Sequence, residues 1–137
     1  MPYVDPADAL NAAVTTIPME PLTDGEAFSR AALVANASMR LVQLTFPANF
    51  RTIPHYHPRA GELFLIVAGS AEFRFDAEPP IEAVPGQLLY AAPGVVHEIG
   101  AGPAGVRFLA GVGPNEDAPD EQVEVDPIRP ASVQPGR

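Results

Sequence analysis

Between residues 37 and 113, short apolar runs are separated by proline and glycine. Runs of this length with period-two alternation predict β-strands, and the breakers predict the turns between them. The expected strands cover residues 39–46, 51–57, 62–68, 71–75, 81–84, 87–91, 96–99 and 105–112. Gly69-Ser70 falls where a two-residue hairpin turn would sit. Breakers also stand at Pro79, Pro85, Pro93, Gly102 and Gly113. No run is long and helix-periodic enough to suggest βαβ units, so the pattern points to an all-β sandwich or barrel.

The two ends read differently. Residues 1–36 form an N-terminal segment expected to pack on the barrel. In it Asp5 can cap a short helix over residues 7–13 with Pro6 at its first position. Residues 15–17 look extended and 18–25 look like loop. Residues 114–137 hold six acidic residues, two arginines and five prolines, and read as an extended acidic tail.

Within the expected strand over 62–68, parity sets Glu62, Phe64 and Ile66 on one face and Leu63, Leu65 and Val67 on the other. Both faces are apolar, so both should be covered. The N-terminal segment or a second subunit can cover the outer one. Gln43, Arg51, Arg74, Tyr90 and Arg107 also lie in expected strands and could point inward, although a solvated outer face is the ordinary place for an arginine. Phe46, Phe64, Phe73, Phe75 and Phe108 read as core. Arg59 reads as solvent-exposed, and Glu98 as turned away from its neighbour His97.

Composition narrows the function classes. The chain has 137 residues, enough for one domain with one core. It has no cysteine, which excludes a disulfide scaffold, thiolate metal sites and cysteine catalysis. Net charge is −9, and all eight basic residues are arginine. Such a surface repels nucleic acid and anionic membranes. The longest apolar run, residues 63–68, is far short of a membrane span. No secretory signal is visible, and a cytoplasmic protein is expected.

The three histidines are His55, His57 and His97. Positions i and i+2 of a strand share a face, so His55 and His57 can reach one point. A lone His-x-His pair is weak evidence for a metal, because such pairs are common on surfaces. Glu62 follows after a Pro58-Arg59-Ala60-Gly61 turn, level with the pair, and His97 arrives from a later strand. Three imidazoles and a carboxylate make a first shell suited to Fe(II), Mn(II), Ni(II), Co(II) or Zn(II). An octahedral ion held by four protein ligands keeps two positions open. Glu62 could instead stay unbound as a general base beside a three-histidine site.

In this region the chain resembles the cupin superfamily. That family's first motif runs Gly, five residues, His-x-His, three or four residues, Glu, six residues, Gly. Asn49, His55, His57, Glu62 and Gly69 fall in that register. The second motif runs Gly, five residues, Pro-x-Gly, two residues, His, three residues, Asn. Gly86, Ala92-Pro93-Gly94, His97 and Ala101 fall in that one. Asn49, Ala92 and Ala101 depart from the pattern. None is a ligand position, and Asn tolerates a left-handed backbone. The resemblance covers residues 37–113. It implies a single-domain jelly-roll β-barrel with the site near one mouth, and favours a homodimer.

It also implies metal-dependent chemistry on a small-molecule substrate. The first expectation is an oxygen-using, dioxygenase-type oxidoreductase with one divalent ion, Fe(II) or Mn(II) ahead of Zn(II) or Ni(II). Its substrate would be a small chelating organic molecule, with His55, His57, Glu62 and His97 as ligands. A second expectation is a non-redox cyclase, isomerase or lyase, with Tyr90 or Glu62 as the catalytic acid/base. A third is a non-catalytic module that binds a small molecule or a metal.

Overall fold

The computed structural model describes Leu22, residues 26–115 and residues 123–125. The expected helix over 7–13 and the extended stretch over 15–17 lie outside the described residues, as does most of the acidic tail. Among the described residues there is no helix, and so none long and apolar enough to cross a membrane. The molecule is all-β.

Eight strands occur in chain order: β1 (Ser29–Ala35), β2 (Arg40–Phe46), β3 (His55–Tyr56), β4 (Gly61–Phe75), β5 (Ile81–Ala83), β6 (Leu88–Ala91), β7 (His97–Gly113) and β8 (Val123–Glu124). Every pairing is antiparallel. Two strands, β4 and β7, pair along nearly their whole length, from Gly61 opposite Gly113 to Phe75 opposite His97. They belong to both layers of the jelly roll. One layer runs β1-β2-β7-β4-β6, using the C-terminal half of β7. The other runs β8-β3-β7-β4-β5, using its N-terminal half.

The corner between the layers corrects the expected hairpin at Gly69-Ser70. The chain does not turn there but continues through a bulge. Gly69 faces Val106, and the next pair is Ala71 with Ala101. Four residues of β7, 102–105, therefore pass opposite the single unpaired Ser70, and a strand bulged in this way bends. Gly69 has φ 76°, and a Cβ on it would lie 2.1 Å from the Gly105 carbonyl oxygen. Only glycine fits. The Gly102 break likewise lies inside one long strand. A hairpin turn and a bulge present the same local glycine signal, and pairing with β7, over thirty residues away in sequence, selects the bulge.

The sequence pattern predicts no element over Ser29–Ala35, which is a strand against β2. The expected strand over 51–57 is reduced to a bridge between Arg51 and Gly100 and the two residues of β3. Thr52 still ties this segment to β7: its N–H donates to the Ile99 carbonyl at 2.9 Å, and its hydroxyl accepts from Ile99 N–H at 2.9 Å.

The core lies between the layers. Phe46, Phe64, Phe73 and Phe108 are all at most 3% exposed. Phe64 packs edge-on against Phe73, with ring centroids 5.1 Å apart, and Phe46 against Phe108 at 5.1 Å. Arg107 corrects the expectation of a solvated arginine. It is 5% exposed on the far side of β7, where its Nε donates to Thr45 Oγ1 at 3.0 Å and its guanidinium pairs with Glu26. Gln43 is buried on that same side of β2 and does not line the cavity described below. Arg74 pairs with Glu72 at 2.9 Å, also away from that cavity.

Candidate metal centre

His55, His57, Glu62 and His97 each offer a donor atom, and these atoms all lie within 4.8 Å of one another. The topology explains the convergence. His55 on β3 pairs with His97, the first residue of β7. His97 also pairs with Phe75 at the end of β4. Glu62 comes from the opposite end of β4 and belongs to the other layer, so the cluster bridges the two sheets. The turn before Glu62 is held by Gly94 N–H donating to the His57 carbonyl at 2.8 Å. Asn49 has φ 64°, the left-handed conformation its motif position requires.

Two of the rings are aimed by the backbone. His55 Nδ1 donates to the Ile53 carbonyl at 2.8 Å, and His97 Nδ1 to the Val95 carbonyl at 3.0 Å. In the neutral rings these bonds place the proton on Nδ1 and leave a lone pair on Nε2, the tautomer a metal ligand needs. His97 Nε2 is 3.0 Å from Glu62 Oε1, yet is buried and makes no hydrogen bond. A bare lone pair facing a carboxylate oxygen at that distance would be repulsive; a proton or a metal cation between the two atoms makes the contact attractive. His57 Nε2 lies 3.0 Å from the same oxygen.

The electrostatics agree. Burial opposes the charge on Glu62, but the His57 and His97 imidazoles beside it prevail and hold its carboxyl at about 2. Burial also lowers His55 from its ordinary value of 6.5, favouring the neutral ring. An ionised carboxylate and a neutral imidazole are the forms that bind metal. The donor set, the orphaned Nε2 and the backbone-locked rings fit a divalent ion.

The residues resembling the family's motifs are those the topology brings together, and a model of the cupin domain matches residues 42–110. The chain belongs to the cupin superfamily. No curated protein matches its sequence. Among solved structures, this cupin is similar to the DMSP lyase DddQ from Ruegeria pomeroyi, at 24% identity and TM-score 0.63. That match covers 72% of this chain and 51% of the lyase, so the cupin spans about half the lyase's length. It is similar to KdgF from Halomonas sp., at 21% identity and TM-score 0.62, covering 70% of this chain and 87% of the other. It is also similar to a double-stranded beta-helix protein from Klebsiella pneumoniae, at 16% identity and TM-score 0.67, covering 85% and 100%. At these identities the likeness is one of fold.

The cupin's ligand cluster opens into a cavity of about 490 Å³ between the sheets. Val42, Leu44, Phe46, Phe64 and Phe108 form its apolar wall. Three of the phenylalanines read as core thus also shape the cavity. Arg51 also lines it, but its guanidinium lies over Gly100 on the outer face of β7, where it pairs with Glu72 at 3.3 Å and Glu98 at 3.6 Å, neither of which lines the cavity. Arg30 and Arg40 also line it, and the sequence pattern had singled out neither. Alternation with Val42, Leu44 and Phe46 was the available signal for Arg40.

Tyr90 is not brought to this cavity. It pairs with Leu63 rather than with Glu62, so its parity sends it to the outer face, where it is 58% exposed. Glu98 is buried on the face away from the cluster, and Arg59 is exposed.

Proposed function

We propose that this cupin is a metal-dependent enzyme acting on a small organic substrate that chelates the ion through an oxygen function. One observation carries the reading: two buried imidazoles, a half-buried third and an ionised carboxylate, one imidazole nitrogen unpartnered, facing a mostly apolar cavity. His55, His57, Glu62 and His97 would hold the ion. When bound, it would polarise a substrate oxygen as a Lewis acid and, as Fe(II) or Mn(II), exchange electrons with dioxygen.

The chain's own groups supply the rest. The Ile53 and Val95 carbonyls fix the rings of His55 and His97. Phe64 closes the cavity floor against His97, with ring centroids 5.6 Å apart, and keeps water from that side. Glu62 could accept a substrate proton only on leaving the ion, as a base beside a three-histidine site.

The mixed nitrogen and oxygen donors support an oxygen-using oxidoreductase with Fe(II) or Mn(II). A second reading, a non-redox lyase with Zn(II) or Ni(II) among the candidate ions, is supported by the named activity of the similar Ruegeria structure. Metal analysis of anaerobically purified protein, followed by turnover assays on small oxo- and hydroxy-acids, separates them. Bound iron or manganese with substrate-dependent oxygen uptake supports the first reading. Equal turnover under argon supports the second, and no metal above background overturns both.

The proposal extends to a homodimer. Leu63, Leu88 and Tyr90 form an apolar outer face on β4 and β6, each at least 46% exposed. A second copy packed there would cover it.

A further inference from the structure

The cavity's charge is at odds with the rest of the molecule. The chain carries a net charge of −9 and only eight basic residues, all arginine. Three of them, Arg30, Arg40 and Arg51, line this one cavity, and Glu62 is the single acidic residue among the described residues that line it. The Arg51 guanidinium is directed to Glu72 and Glu98 outside the cavity, so Arg30 and Arg40 supply its positive charge. Glu62 is committed to the histidines, and a divalent ion among them would make the interior more positive still. Arginines gathered in a cavity of a strongly acidic chain mark an anionic ligand.

Arg40 is the residue placed to hold it. It is 9% exposed, at the start of β2. Its neighbour across the sheet is Val112, and the neighbour of Val112 on the other side is Glu62. Arg40 and Glu62 thus face the same interior across two strand spacings, about 10 Å between backbones. Arg40 also interacts within the chain, and the anion would dock beside that contact. Val112 lies between Arg40 and Glu62, and Val42 and Phe64 line the adjacent row.

We propose that the substrate is a small organic acid with two functions: an oxygen group that meets the ion, and a distal carboxylate that docks on Arg40. Arg30, exposed and also lining the cavity, adds attraction at longer range. The chelating half of this assignment rests on the metal-dependent reading; the carboxylate half rests on the arginines. A planar guanidinium binds a carboxylate through two parallel hydrogen bonds, which lysine cannot reproduce.

The test uses two probes that share one chelating end. 2-Oxoadipate carries a distal carboxylate, and 2-oxohexanoate carries a methyl group in its place. Their dissociation constants are measured by calorimetry on the Mn(II)-loaded protein. 2-Oxoadipate should bind at least about tenfold tighter. Arg40→Gln should bring the two within about twofold while Mn(II) affinity, followed by electron paramagnetic resonance, stays unchanged. Arg30→Gln should narrow the gap by less and weaken its salt dependence. If Arg40→Gln fails to fold, Arg40→Lys keeps the charge and should still lose most of the preference. Equal binding of both probes to the unsubstituted protein overturns the proposal, as does a preference that survives at Arg40. Failure of Mn(II) to bind would sink the metal reading alone. The same tenfold preference, lost in Arg40→Gln, would then be expected of the chain without metal, and its absence there would overturn the carboxylate site too.

Discussion

The two faces of β4 are almost equally apolar in sequence and live in opposite surroundings. Inward, Glu62, Phe64 and Ile66 are 9%, 1% and 2% exposed. Outward, Leu63 is 46% exposed; on β6, Tyr90 opposite it is 58% exposed and Leu88, opposite Leu65, is 63% exposed. Hydrophobicity does not say which side is the interior. Within residues 61–68 the one charged residue does: Glu62 shares its side with Phe64 and Ile66, and a buried carboxylate is tolerated there only because the His57 and His97 imidazoles adjoin it. The chemistry and the core thus lie on one face, and the other, among the described residues, leaves Leu63, Leu88 and Tyr90 exposed.

The sharpest way to break this contrast is to hollow the inner face. Phe64→Ala should cost about 3–5 kcal/mol in chemical denaturation, as expected for a large side chain removed from a tight core. A cost under about 1 kcal/mol would mean that the inner face is not packed as described. His57→Ala should reduce divalent metal affinity by at least about 100-fold, beyond the range found for residues that only support a ligand, while circular dichroism still reports a β-fold. Full metal occupancy in that variant would remove His57 from the ligand set.

Glu62→Gln sharpens the comparison through pH. The Glu62 carboxyl lies at about 2 in the folded chain against an ordinary 4.5. Its contribution to stability is therefore complete above about pH 4.5 and is lost as pH falls through 2. In metal-free protein, the substitution should flatten the acid limb of the stability curve between those values and leave the slope above pH 5 unchanged. An identical acid limb in both proteins would contradict the depressed carboxyl.

The smallest effects belong to the outer face. Leu88→Ser should change the unfolding free energy of the isolated chain by less than about 0.5 kcal/mol. In sedimentation it should nevertheless weaken self-association, and a dimer unaffected by it would place the contact elsewhere. Tyr90→Phe should leave metal affinity unchanged, since the hydroxyl stands outside the cavity.

The same contrast explains what could be read before folding. His55, His57, Glu62 and His97 were legible because strand parity and motif spacing are local rules. Phe64 and Ile66 followed Glu62 inward by the same parity. The corner at Gly69 was not legible, because a turn and a bulge use the same residue and only pairing with β7 decides between them. Burial of Arg107 depended on Thr45 and Glu26, 62 and 81 residues distant. The strand β1 was hidden because Arg30, Ala31 and Ala32 lack the β-branched and aromatic residues that announce one.

The braces on His55 and His97 have a practical consequence. Each ring is steadied by the carbonyl two residues earlier on its own segment, so its tautomer and direction travel with a tripeptide. Residues 53–55 and 95–97 are therefore portable cassettes. Grafted onto neighbouring antiparallel strands of an unrelated scaffold, they would carry two pre-aimed imidazoles with them and leave the designer only the remaining donors to place.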